Sequence, residues 1–341
     1  MSRSRSILIT ALTAAALIPA GALAVSKGSV PLEAESALRI LLEALRGSGS
    51  TSPDHVIVLQ LRLPRVLAAF FIGGGLSIIG VAMQALVRNP LAEPYILGIS
   101  GGASAGASLF YLGFLPPVVS VWLSIPIAAF VGALLAITAV YAVARGQDGL
   151  SISRLLLAGV ATASLMAAVT SFITYLSPDP NQLRVILFWL LGDLSKNTWE
   201  SLPMVAGAAL AGLAILFVLA PRLDAMLLGE ESAAGLGVRV ERLKRILIVT
   251  AALVTGVVVA HSGAIGFVGL IVPHVVRSVV GVGHRFVVVE SFFAGGLFLI
   301  VADLLARSVL PGQDLPVGIV TALAGVPFFL MLLRRTHYKF S

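Results

Sequence analysis

Apolar stretches of about 20 residues recur along this chain with short polar breaks between them, and a helix of that length is what a bilayer crossing needs. They run from Ile7 to Val25, Pro64 to Val87, Tyr95 to Leu115, Val118 to Ala144, Arg154 to Tyr175 and Trp199 to Ala220, then from Ile246 to Ala260, Ser262 to Val282, Phe286 to Ala306 and Leu315 to Leu333. Across 341 residues, 58% are hydrophobic and 11% charged, which excludes a water-soluble enzyme. The expected fold is all-α: a polytopic membrane protein with about ten transmembrane helices in a single domain over residues 1–341. With no cysteine, the chain has no disulfide, thiolate metal site or cysteine nucleophile.

The first stretch follows Arg3 and Arg5 and ends in Gly21-Ala22-Leu23-Ala24, a pattern shared with cleaved leaders. Its apolar run is longer than a usual leader core, so an uncleaved first span is expected. From Pro31 to Arg46, Leu38, Leu41, Leu42 and Leu45 share one helical face, with Glu35, Arg39, Glu43 and Arg46 mostly opposite and Gly47 just past the end. That pattern predicts an amphipathic helix lying on the membrane surface. Leu183 to Leu191 is apolar but too short to cross, and is expected to be re-entrant or superficial.

Threading the spans with the N-terminus inside collects most Lys and Arg on the cytoplasmic side, as the positive-inside rule requires. The polar insert Pro221 to Arg245 then falls in the cytoplasm. It carries Arg222, Arg239, Arg242, Lys244 and Arg245 beside Asp224, Glu230, Glu231 and Glu241. Many of the 34 glycines lie inside apolar runs, among them Gly73, Gly74, Gly75, Gly80, Gly98, Gly102 and Gly106. Small residues at such positions let helices approach closely in lipid.

Several chemistries are missing. None of the lysines, Lys27, Lys196, Lys244 and Lys339, follows a glycine, so there is no phosphate-cradling G-x-x-x-x-G-K-[ST] loop. The histidines, His55, His261, His274, His284 and His337, have no metal-ligand spacing. Asp303 precedes Arg307 by four residues and shares its helical face, which leaves open a local ion pair or a partner-facing arginine. No chain of intramembrane carboxylates like that of a proton-coupled transporter is evident.

An ordered series of segments resembles one family over nearly the whole chain. It comprises Arg62-Leu63-Pro64-Arg65, Gly80 to Gln84, Asn89-Pro90-Leu91-Ala92-Glu93-Pro94 with Leu97-Gly98, and Ser153 to Gly159. It continues through Trp189-Leu190-Leu191-Gly192, Leu228-Gly229-Glu230-Glu231 with Leu236-Gly237, Gly266 to Leu270 with Pro273-His274, and Leu315-Pro316-Val317-Gly318. Together these look like the FecCD type, the permease subunits of ATP-binding-cassette importers for iron chelates and vitamin B12.

The resemblance implies ten helices per subunit, a homodimer with one central pathway, two cytoplasmic ATPase subunits and a periplasmic binding protein. The localisation it implies is the bacterial inner membrane. It implies no nucleic-acid partner, and no cofactor or metal bound by this chain, ATP and Mg being used by the partner ATPase. By the same resemblance Arg62, Arg65 and Arg307 would meet the binding protein, though long basic side chains at a membrane rim also serve lipid headgroups. Asn89 and Leu91, with Ile152 and Ser153, would form the cytoplasmic gate. Leu228, Gly229, Glu230, Glu231, Ala234, Leu236 and Gly237 would couple to the ATPase. The substrate class implied is a metal chelate, ferric siderophore or haem, with cobalamin next; an ion-coupled secondary transporter is the rival from another class.

Overall fold

A computed structural model describes residues 3–335 apart from 29, 31, 47–51, 115–117, 119–123, 147–148, 178–179 and 311. The described residues are almost entirely helical. In chain order the helices are α1 (Arg3–Ser26), α2 (Ala34–Leu45), α3 (Leu63–Val87), α4 (Ile99–Tyr111), α5 (Ile125–Ala144), α6 (Ile152–Tyr175) and α7 (Pro180–Leu190). Next come α8 (Leu202–Met226), α9 (Glu230–Gly235), α10 (Val240–Ser262), α11 (Val268–Val280), α12 (His284–Ser308) and α13 (Val317–Arg335). Arg145–Gly146 and Gly149–Leu150 pair as a minimal antiparallel hairpin just before α6.

Among the described residues seven helices are long and apolar enough to cross a membrane: α1, α3 with the turns leading into it, α5, α6, α8, α10 and α12. This is a multi-pass membrane protein. Two of the expected spans come out shorter. Tyr95–Leu115 breaks at a 3-10 turn, Pro94–Leu97, before α4 begins, and Ser262–Val282 breaks at residues 263–267 before α11. At 13 residues each, α4 and α11 are about 20 Å long, against an apolar core of about 30 Å. The last span, α13, keeps the 19-residue length expected for Leu315–Leu333, with its apolar part over Val317–Leu332. Pro31, Gly47 and Leu115, expected at element ends, lie outside the described residues.

Three boundaries differ from expectation. A turn at Pro53–His55 and a π-helical stretch, Val56–Arg62, run into α3, so this helix starts well before Pro64. The polar insert begins inside a helix, because α8 continues through Pro221 to Met226. The apolar piece near Leu183 is the eleven-residue α7. On α2, Leu38 and Leu42 are exposed while Ala37 and Ile40 are buried, so an apolar face is left for a membrane surface.

The core forms around α3, which packs against α8, α10, α11 and α12. Its glycines permit this: a Cβ on Gly73 would lie 2.2 Å from Gly295 O, and one on Gly80 would lie 1.9 Å from Gly269 O. Both are backbone crossings that no side chain could enter. Gly102 and Gly106 do the same for α4 against α5. Thr13 on α1 donates a 2.6 Å hydrogen bond to Glu290 of α12, which gives that buried carboxyl a partner.

Candidate functional site

The chemistry-bearing residues gather at the two ends of the bundle, named outer and cytoplasmic from the distribution of Lys and Arg. At the outer end the structure brings Arg62, Arg65 and Arg307 together with Asp303 and Asp314. Arg65 donates to Asp303 Oδ1 from Nε at 3.1 Å and from Nη2 at 2.8 Å, and from Nη1 to Asp314 Oδ2 at 2.7 Å. Arg307 pairs with Asp303 at 3.0 Å, so the local ion pair is present.

These arginines also close the end of α1. Arg307 donates to Ala24 O and Lys27 O at 3.0 and 2.9 Å, and Arg62 donates to Val25 O, Ser26 O and Val30 O. The last carbonyls of a helix have no partner within it and carry the negative end of its dipole, so guanidinium groups satisfy both. Arg62 and Arg307 are 6% and 4% exposed, so their donors are committed within this chain. The Arg65 side chain is 11% exposed, with Nε, Nη1 and Nη2 all engaged by Asp303 and Asp314.

At the cytoplasmic end α3 stops at Arg88, whose φ of 56° turns the chain out of the helix. Asn89 Oδ1 then accepts the Leu91 N–H at 2.9 Å, a side-chain turn that fixes both expected gate residues in one bend. The bend leads into Pro94–Leu97, which lies directly on α6: a Cβ at Gly159 would be 2.0 Å from Ile96 O. Ile152 and Ser153 sit about two turns before Gly159 on α6. Both pairs therefore lie on one packed unit, and Ser153 is exposed.

Two residues that the motif reading left without a role hold this unit in place. Tyr95 donates its hydroxyl to Ile265 O at 2.7 Å and accepts from Ile265 N at 2.9 Å. Glu93 accepts from Phe267 N at 3.4 Å. Burial pushes the Glu93 carboxyl above its usual range, opposed by that N–H. They satisfy the polar backbone of the break between α10 and α11, which must find partners inside the protein. A further close contact joins the end of α7 to the same break, where a Cβ on Gly263 would be 1.9 Å from Trp189 O.

The residues expected to couple to an ATPase flank and form α9. Leu228 and Leu236 are 67% and 66% exposed, Ala233 between them is fully buried, and Gly229 and Gly237 take φ values of 106° and 83°. The result is a stiff six-residue helix between two glycine bends, with apolar side chains directed outward. Behind it Lys244, almost completely buried, contacts Glu230 at 2.7 Å and Glu241 at 3.3 Å. Glu241 in turn accepts the Leu150 N–H at 3.1 Å. A continuous polar link thus runs from α9 through α10 to the hairpin that enters α6 at Ile152 and Ser153. Asp224, at the end of α8, accepts the His284 N–H at 2.9 Å and so ties α8 to the start of α12. Among the described residues no cluster of His, Asp and Glu has the arrangement of a metal site.

The model of the FecCD transport family matches residues 13–335, and the chain belongs to that family. It is 40% identical over 334 residues to the cobalamin import system permease protein BtuC of Halobacterium salinarum, covering 97% of this chain and 88% of that protein. It is 38% identical over 308 residues to the hemin transport system permease protein HmuU of Yersinia pestis, with 89% and 91% covered. The Fe(3+)-citrate import system permease protein YfmE of Bacillus subtilis is 33% identical, with 97% and 96% covered. Among solved structures, an inward-facing conformation of a metal-chelate type ABC transporter superposes with a TM-score of 0.82 at 28% identity, covering 96% of this chain and 99% of that one. The chain is accordingly a membrane permease of the ABC importer type, a family membership that implies transport rather than catalysis.

Proposed function

We propose that this chain is the permease subunit of a binding-protein-dependent importer in a bacterial inner membrane, carrying a ferric siderophore or haem by alternating access. A chelated metal is common to the hemin, ferric citrate and cobalamin named for its relatives. The observation that carries the mechanism is the Glu230–Lys244–Glu241–Leu150 link between an exposed short helix and the entry to α6. Leu228, Gly229, Glu230, Glu231, Ala234, Leu236 and Gly237 seat in a groove of each of two partner ATPases. Closure of those ATPases is passed by Lys244 to Ile152 and Ser153, opposite Asn89 and Leu91. This chain binds no cofactor; ATP and Mg belong to the partner ATPase.

A second copy of the chain completes the pathway. The exposed face of α6 carries Ala161, Ser164 and Ala168 one turn apart, small residues that suit close helix approach or a passage. Residues 1–341 serve as a single permease domain, with 221–245 as its coupling segment. The periplasmic binding protein docks over Arg62, Arg65 and Arg307. Two carboxylates against three guanidinium groups leave that cluster net positive, which steers an acidic partner.

The test is uptake into vesicles reconstituted with the cognate ATPase and binding protein, using ferric siderophores, haem and cobalamin. ATP-dependent uptake of an iron chelate is expected. Uptake of cobalamin alone would replace the substrate assignment, and uptake without any ATPase would favour an ion-coupled secondary transporter. Docking of the binding protein should weaken as salt is raised, because steering by charges at the rim is screened.

A further inference from the structure

At the cytoplasmic ends of α8 and α10, Arg222, Arg239 and Arg242 line a cavity of about 340 Å3 together with Gly237, Leu243 and Ile246. None of the three arginines has an ionic or hydrogen-bonding partner among the described residues, and all three are exposed. Two of the three, Arg239 and Arg242, sit against helix electrostatics, whereas Arg222 lies near the C-terminal end of α8. Arg239 immediately precedes α10, and Arg242 and Arg245 lie in its first two turns, where the positive end of the helix dipole disfavours cations. An anion in the cavity would relieve both the mutual repulsion and the dipole.

Ile246 also lines a second, apolar groove of about 440 Å3 between α8 and α10, which continues past Gly212, Val249 and Leu253 to Val257. From Ile246 to Val257 the groove follows α10 for about 16 Å. Val249 and Leu253 are 50% and 46% exposed along it. A basic cavity that meets a long apolar groove at Ile246, on the side of two membrane helices, matches the polarity of a lipid: an anionic head at the interface and a chain along the helices. A soluble partner would fill the head cavity and leave the groove empty.

We propose that this site holds one anionic glycerophospholipid, with its phosphate among Arg222, Arg239 and Arg242 and an acyl chain in the α8–α10 groove. The bound lipid would brace the two helices from which the coupling segment is suspended.

The experiment is native mass spectrometry of the full-length, delipidated protein with added phosphatidylglycerol, phosphatidylcholine or glycerol 3-phosphate. Phosphatidylglycerol should be retained preferentially. Arg222→Gln, Arg239→Gln and Arg242→Gln should each lower its retention about fivefold, and phosphatidylglycerol should raise the melting temperature of the unsubstituted protein more than that of the triple variant. Because these side chains are exposed, the variants should melt like the parent without lipid. Val249→Trp, which fills the groove, should weaken lipid retention and leave glycerol 3-phosphate binding unchanged. Equal retention of both lipids, or unchanged retention in the triple variant, overturns the proposal. So does glycerol 3-phosphate competing as well as the lipid with no effect of Val249→Trp, which would identify a free-phosphate site. Loss of ATPase association in the triple variant with lipid retention intact would assign the cavity to the protein partner instead.

Discussion

Lys244 Nζ lies 2.7 Å from Glu230 and 3.3 Å from Glu241, and this one buried ammonium joins the exposed α9 helix to the hairpin that feeds α6. Its two carboxylates are 39% and 54% exposed at the side chain, so solvent screens the pair and its value to stability is modest. Its value lies in connectivity.

Lys244→Met should therefore separate transport from ATP turnover. The expected result is a melting temperature within a few degrees of the parent and ATPase association largely retained, with substrate uptake per ATP hydrolysed reduced several-fold. Uptake and hydrolysis measured in the same vesicles check this. A proportional fall in both would show that α9 and the gate communicate by another route.

The outer network behaves differently, because its central acid is buried. Asp303 is 1% exposed and neutralises Arg65 and Arg307 together. Asp303→Ala leaves two guanidinium groups without their shared counter-ion, and removal of one partner from a buried pair costs about 3–5 kcal/mol. Poor yield and a sharply lowered melting temperature in detergent are expected. Asp314→Ala, at a 31% exposed side chain, should have a much smaller effect.

The glycines give a graded series. Gly80→Ala puts a methyl 1.9 Å from Gly269 O and should abolish folding, since neither backbone can retreat. Gly207→Ala, on the same kind of helix but with nothing within 4 Å, should be neutral or stabilising by up to about 1 kcal/mol. Expression and thermal melting of the two variants side by side provide the measurement.

Burial raises the Glu93 pKa, so folding favours its neutral form. Stability from this group is fully present below the unfolded-state pKa and declines as pH rises through the folded value. Glu93→Gln keeps an oxygen for the Phe267 N–H and removes the ionisable group. The variant should gain most in melting temperature over the parent at pH 8 and least at pH 5.

How much of this was legible in the sequence depends on range. The long spans, the apolar face on α2 and the Asp303–Arg307 pair are local patterns with helical spacing, and the structure contains them. The breaks before α4 and α11 were missed because Tyr95 and Ile265 are 170 positions apart, and only their meeting makes a broken helix tolerable. Arg62 looked like a rim charge for the same reason: the carbonyls that it satisfies belong to a helix end more than thirty residues earlier. Lys244 sat unnoticed among the other basic residues of the polar insert, since composition does not reveal which cation is buried.

The crossing of Gly80 and Gly269 limits how the bundle can move. Two bare backbones touching at a point cannot slide along each other without collision from the side chains on either side. They can rotate. Gly73 and Gly295 make the same kind of crossing between α3 and α12. The central helix thus has two fulcrums along its length, and helix ends can swing about them while the middle of the bundle stays in register.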